Sequence, residues 1–213
     1  MISARTFGRV VLGILAILAA GSASADDSGF YADVDLGQAK YPYSTVTDSH
    51  GVMLSSVNPH SKEIAWDGTV GYRFTPYFGS EIGYVNLGKG SASVSDASST
   101  DAAPGKASFT SKGPTLALVG AVQIGNLEAF LRLGYLFAHT DLSVAAVTNG
   151  STKLNATEST NTAAPFGGLG LRYAFSEHWH LKLEFDRYDG VGDATTTGAA
   201  NINVTTLGIG CRF

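Results

Sequence analysis

The chain of 213 residues has one cysteine, Cys211, which excludes an intramolecular disulfide and every multi-cysteine metal centre. Charge is scarce too. Only 15% of residues are Asp, Glu, Lys or Arg, and 14 bases against 18 acids give a net charge of −4, so the basic footprint of a nucleic-acid binder is missing. Proline is limited to 6 residues while 44% are hydrophobic, a balance that argues against disorder. Beyond the N-terminus no apolar run is long enough for a membrane-spanning helix. What the chain does have is glycine, 26 residues of it, which suits a β-rich domain better than a helical bundle.

Residues 1–25 read as a secretory signal peptide. Arg5 and Arg9 precede an apolar run at 10–20, and Ala23-Ser24-Ala25 forms a small-x-small cleavage site before Asp26. A retained anchor needs about 18 to 20 apolar residues, and this run is shorter. The mature domain is therefore expected to span 26–213.

Within it, alternation at period two recurs. Phe30, Ala32, Val34 and Leu36 interleave with Tyr31, Asp33, Asp35 and Gly37; Ile64, Trp66, Val70 and Tyr72 interleave with Ala65, Asp67, Thr69 and Arg73. This is the strand template with one apolar and one polar face. Eight such segments are predicted, at 30–39, 64–74, 78–88, 112–124, 127–138, 163–175, 179–188 and 203–213. The connections between them alternate long and short: 24, 3, 23, 2, 24, 3 and 14 residues. In an up-and-down sheet this puts every tight turn at one end and every long loop at the other, the asymmetry of an outer-membrane barrel. A soluble eight-stranded barrel of the lipocalin kind has the same strand count.

Charge placement separates the two. Of fourteen charged residues in the predicted strands, twelve share one face: Asp33, Asp35, Asp67, Arg73, Glu81, Glu128, Arg132, Arg172, Lys182, Glu184, Asp186 and Arg212. Lys112 and Arg187 sit at the loop ends, where a long side chain reaches head groups. A soluble barrel keeps apolar residues inside. Here the apolar face is outside only if its solvent is lipid, and the narrow lumen is filled by seven acids and five bases that pair. Phe30, Phe74, Phe78, Phe175, Trp179 and Phe213 all fall on the apolar face at the tight-turn ends and form one interfacial girdle; Trp66, Tyr84, Tyr135 and Phe137 supply a second. The expected fold is all-β, an eight-stranded antiparallel up-and-down transmembrane β-barrel.

The stretch Leu183-Glu184-Phe185-Asp186-Arg187-Tyr188, then Gly190-Val191-Gly192-Asp193, and the ending Leu207-Gly208-Ile209-Gly210-Cys211-Arg212-Phe213 resemble the last hairpin of the OmpA-like transmembrane barrel family. Glu81-Ile82-Gly83-Tyr84-Val85-Asn86-Leu87-Gly88 is similar to that family's third strand. The resemblance implies the outer membrane of a Gram-negative cell, with lipid and lipopolysaccharide as neighbours. It also implies recognition by the outer-membrane assembly machinery through Leu207, Ile209 and the final aromatic Phe213. Members with a periplasmic peptidoglycan-binding domain continue well past the barrel, so that tethering role is not carried over.

Function then falls to the loops, the lumen or the rim. The polar, low-complexity stretch 91–101 is expected to be a mobile surface loop. Tyr41, Tyr43, Val52, Met53 and Leu54 either extend the first hairpin above the membrane or pack over the barrel mouth. His139, Asp141 and Ser143 alternate at the rim, but i, i+2, i+4 steps of about 6 to 7 Å keep a nucleophile, base and orienter apart. His178 and His180 form a His-x-His pair better explained by turn and lumen polarity than by metal, and Cys211 reads as a small lipid-facing side chain. The reading is a non-enzymatic envelope protein, without cofactor or metal, meeting a host or envelope protein through its loops. The alternatives are a narrow gated pore through the charged lumen and a lipid A-modifying enzyme at the rim.

Overall fold

A computed structural model describes residues 28–41, 46–47, 53–54, 62–94, 105–148, 152–193 and 199–213. Its elements are β1 (Gly29–Lys40), β2 (Val46–Thr47), β3 (Met53–Leu54), β4 (Lys62–Arg73), β5 (Phe78–Val94), β6 (Gly105–Ile124), β7 (Leu127–Thr148), β8 (Thr152–Ala174), β9 (Trp179–Val191) and β10 (Ala200–Arg212). All but β2 and β3 close into one antiparallel barrel, sealed where β1 pairs with β10 along Tyr31↔Arg212 to Lys40↔Asn203. β2 and β3 form a separate two-residue ladder, Val46↔Leu54 and Thr47↔Met53. The proposed signal peptide lies outside the described residues.

The tight turns follow from local chemistry. Thr75 Oγ accepts the amides of Tyr77 (3.3 Å) and Phe78 (3.0 Å), and Ser176 Oγ accepts that of Trp179 (3.0 Å), so a hydroxyl at the first turn position closes both. Between β6 and β7 the two-residue turn uses Gly125 at φ +60°, a conformation that costs glycine nothing.

Exposure alternates along the strands in the inverted sense. Ile64 is 70% and Leu118 69% exposed, whereas Arg132 and Arg172 are 1% exposed. An apolar wall around a charged interior is stable only with hydrocarbon outside. Phe30, Phe74, Phe78, Phe175 and Trp179 ring the tight-turn end on the outer face, with Phe213 half-buried beside them. Near the other end, Trp66 stacks on Tyr84 at 6.1 Å between ring centres.

The long connections differ from the expectation. β5 and β6 stay paired out to Val94↔Gly105, and β7 and β8 out to Thr148↔Thr152, so the predicted loops 89–111 and 139–162 are largely strand. Their Thr and Val residues favour extended backbone, but their sequence lacks the apolar alternation by which a strand is read. Of the low-complexity loop, 91–94 belongs to β5, and the rest lies outside the described residues. The pairing of β4 with β5 stops at Trp66↔Asn86, and that of β8 with β9 begins only at Phe166↔Tyr188. A four-stranded sheet, β5 to β8, therefore rises beyond the closed barrel.

Candidate functional site

Period two, applied to eight strands, gathers the polar faces in the lumen. Of the twelve charged residues singled out from the sequence, the structure buries eleven there: Asp33, Asp35, Asp67, Arg73, Glu81, Glu128, Arg132, Arg172, Lys182, Glu184 and Asp186. The twelfth, Arg212, is half-buried at the tight-turn end.

From that end upward the charges form layers. Glu128 meets Arg73 (2.8 Å) and Arg172 (2.9 Å) with one oxygen and Arg212 (2.7 Å) with the other. Arg172 continues to Glu81 (2.9 Å) and Asp33 (3.2 Å), and its guanidinium lies between the rings of Phe130, 4.2 Å away, and Tyr31, 4.8 Å away. Tyr31 donates its hydroxyl to Glu81 (2.6 Å), and His180 Nε2 lies 2.7 Å from Asp33. Above these, Arg132 joins Glu81 (2.8 Å), Glu184 and Asp186 (3.5 Å), while the Lys182 ammonium bridges Asp35 (2.9 Å) and Glu184 (2.6 Å). Charges so arranged offset one another where solvent is excluded, with Asp67 the exception, set beside Asp35 and Glu184 with one carboxylate oxygen unpartnered, and removal of one partner of a pair is costly.

One carboxylate oxygen from each of Asp35, Asp67 and Glu184 lies within 4.8 Å of the other two. That spacing would suit a cation, and the Lys182 ammonium already supplies the positive charge beside two of them. His178 and His180 do not come together: His178 is exposed in the turn, while His180 is buried in the lumen.

Space for the carboxylates comes from glycine. Asp33 faces Gly210, Asp35 faces Gly208 and Asp186 faces Gly168 across the ladder. A β-carbon added at any of the three would collide with the facing carboxylate.

Sequence reasoning missed how the lumen ends. Above the charged layers, inward positions turn apolar, and Tyr41, Val85, Leu87, Leu136, Phe166, Tyr188, Val191 and Ile202 pack with small alanines into a buried cluster. Phe166 stacks on Tyr188 at 5.0 Å, and the Tyr188 hydroxyl reaches down to Asp186 (3.3 Å). Tyr41 turns into the mouth and donates to the Leu87 carbonyl (2.7 Å). It therefore packs over the mouth rather than extending the hairpin; Tyr43 and Val52 lie outside the described residues, and Met53 and Leu54 form β3. The signal was present: Leu87, Leu136, Phe166 and Tyr188 share the inward parity of the charges, but an apolar residue there conflicts with a uniformly polar lumen.

At the rim, His139 contacts Asn161 (2.8 Å) through Nδ1 and Asp141 (3.4 Å) through Nε2, so the first two of the three rim residues do meet. Ser143 sits one outward position further, opposite Ser108 and Thr157. Leu207 and Ile209 are exposed on the outer wall of β10, and the Phe213 amide donates to the Phe30 carbonyl (2.9 Å) at the seam. Cys211 is half-buried on that same wall.

A family model described as the OmpA-like transmembrane domain matches residues 25–213. "Outer membrane protein A" of Serratia marcescens is 26% identical over 199 residues, covering 90% of this chain and 51% of that protein. The chain thus spans about half the length of the relatives it matches. Among solved structures, Neisserial surface protein A superposes with a TM-score of 0.53 at 14% identity, covering 87% of this chain and 99% of that one. The outer membrane protein OprG of Pseudomonas aeruginosa gives 0.54 at 16% identity, covering 87% and 96%. Both share the fold.

Proposed function

The chain belongs to the OmpA-like transmembrane domain family and is an outer-membrane β-barrel, and on that premise we propose that it works without catalysis as an envelope anchor presenting a stiff strand edge at the cell surface. The observation that carries this reading is the free edge of β8. Among the described residues, 152–165 pair with β7 on one side and with nothing on the other. An unpaired edge offers a row of amides and carbonyls, to which an extended segment of another protein can add as a further strand. With strands rising 3.3 Å per residue and tilted about 40°, β7 climbs roughly 25 to 30 Å from Phe137 to Thr148, clear of the head groups.

The charged lumen serves this role as filling rather than passage. Its ion pairs cross the bore and an apolar plug caps them, which favours a closed anchor over a gated pore. Residues 1–25 act as the export signal, and Leu207, Ile209 and Phe213 present the assembly machinery with its recognition pattern. The partner at the edge is an extended segment of a host or envelope protein.

The test removes the edge and keeps the barrel. Thr140 and Thr160 face each other across β7 and β8, so replacing 141–159 with a short Gly-rich turn shortens the hairpin in register. Cells displaying the shortened, folded barrel should lose attachment to host or neighbouring cells that the parent supports. Undiminished attachment would overturn the strand-edge role.

A further inference from the structure

Among the described residues, the bases on the outer wall sit at the loop end of the barrel. At the tight-turn end, Arg73 and Arg212 turn inward onto Glu128, and the outer wall carries aromatics. At the loop end the bases turn out. Lys40 and Lys62 are both exposed and sit directly opposite each other across β1 and β4. The same register row continues from Lys40 to Asn203 on β10 and from Asn203 to Arg187 on β9. Adjacent strands are about 4.8 Å apart, so this row sets two ammonium groups side by side with a guanidinium about 10 Å further on.

Like charges directly opposite in a sheet repel and destabilise the pair. Arg187 has a partial counterion in Asp189 at 2.8 Å, both half-exposed. Among the described residues, neither Lys40 nor Lys62 has an ion-pair partner. Among the described residues the Lys and Arg ion pairs lie in the lumen or join Arg187 to Asp189. An anion held between the two ammonium groups would relieve that repulsion.

The height of the row identifies that anion. One outward position below Lys40 and Lys62 are Gln38 and Ile64, and the next are Leu36 and Trp66; Phe185 lies one outward position below Arg187. Exposed apolar and aromatic side chains at that level mark the upper boundary of the hydrocarbon, so the bases stand where lipid head groups begin. We infer that Lys40, Lys62 and Arg187 form a lipid-binding arc that holds a phosphate group of a phosphorylated outer-leaflet glycolipid, with the two lysines sharing the phosphate. The lysines sit on the wall of β1 and β4, away from the edge of β8, so shortening the protruding hairpin leaves the arc in place.

The experiment uses the folded barrel in phosphatidylcholine nanodiscs containing one-tenth diphosphorylated lipid A, or the same lipid A stripped of both phosphates. Lipid retained after transfer to detergent is counted by native mass spectrometry. The parent should retain the phosphorylated lipid at least tenfold better than the stripped one. Lys40→Gln/Lys62→Gln should abolish that preference, and Lys40→Arg/Lys62→Arg should keep it. Millimolar inorganic phosphate should not displace the lipid, because the arc reads phosphate only at the membrane surface. In lipid-free zwitterionic detergent, Lys62→Gln alone should make the barrel harder to unfold, since it removes the repulsion. Either single glutamine variant carries the measurement if the double one does not refold. Equal retention by parent and glutamine variants, or displacement by inorganic phosphate, would overturn the assignment.

Discussion

Replacing Arg172 tests whether the lumen is held by its charges. The Arg172 guanidinium touches Glu128, Glu81 and Asp33 at 2.9, 2.9 and 3.2 Å, is 1% exposed in its side chain, and lies between two aromatic rings. Arg172→Ala takes a shared cation from three carboxylates at once, leaving Glu128 to Arg73 and Arg212, Glu81 to Arg132, and Asp33 to His180 and Lys182. Breaking a buried pair in this way costs about 3 to 5 kcal/mol, or roughly two to three and a half decades in the unfolding equilibrium. Arg73 makes one such contact at 10% side-chain exposure, and Arg212 makes one at 34%, so the cost should fall along the series Arg172, Arg73, Arg212. For Arg212, where water reaches the pair, about 1 kcal/mol or less is expected. Urea unfolding of barrels in lipid vesicles, followed by tryptophan fluorescence and by the mobility shift between folded and heated protein on gels, measures the series. Adding Glu81→Gln to Arg172→Ala should recover part of the loss, because it removes one of the acids left in excess while Arg132 keeps Glu184 and Asp186, and neighbouring sites do not add. Equal costs at Arg172 and Arg212 would refute the reasoning.

Two further outcomes are expected. Leu131 and Leu133, 51% and 59% exposed on the outer wall, should each cost about 2 to 4 kcal/mol when changed to Arg, and Leu131→Cys or Leu133→Cys in a Cys211→Ser background should react with lipid-soluble but not water-soluble thiol reagents; labelling by the latter would put the apolar wall in water. Intact-mass measurement of the outer-membrane form should give a chain beginning at Asp26, and a form retaining residues 1–25 would sink the export reading.

How much of this was legible in the sequence depends on whether a residue's neighbour constrains it. Strand parity through the bilayer was readable because lipid and lumen impose opposite chemistry on alternate residues, as at Leu131, Arg132 and Leu133. Above the bilayer that contrast disappears. The Thr-rich segment 152–162 lacks apolar alternation, so no period marked it as strand, and the protruding sheet was read as loop. The apolar plug was hidden for a different reason. Leu136 and Tyr188 have the inward parity, but their place in one cluster depends on the registers of three strands, β7, β8 and β9, which no single segment encodes. The partner choice within the lumen, such as Arg172 with residues far away in the chain, is set the same way. His139 and Asp141 met despite their separation along the strand because both side chains lean toward one another along the outer face.

The pairing of three lumen carboxylates with a facing glycine has a consequence for how such a chain can diverge. Gly208 and Asp35 occupy one volume between them, as do Gly210 with Asp33 and Gly168 with Asp186. A side chain added at the glycine has no room while the facing carboxylate keeps its place, so change at the glycine should be coupled to change at its partner. The outer wall carries no such debt, since an exposed Leu207 or Val34 can become any apolar residue that lipid accepts. Over long descent the lipid-facing surface should therefore lose its history quickly, while the lumen changes rarely and two residues at a time.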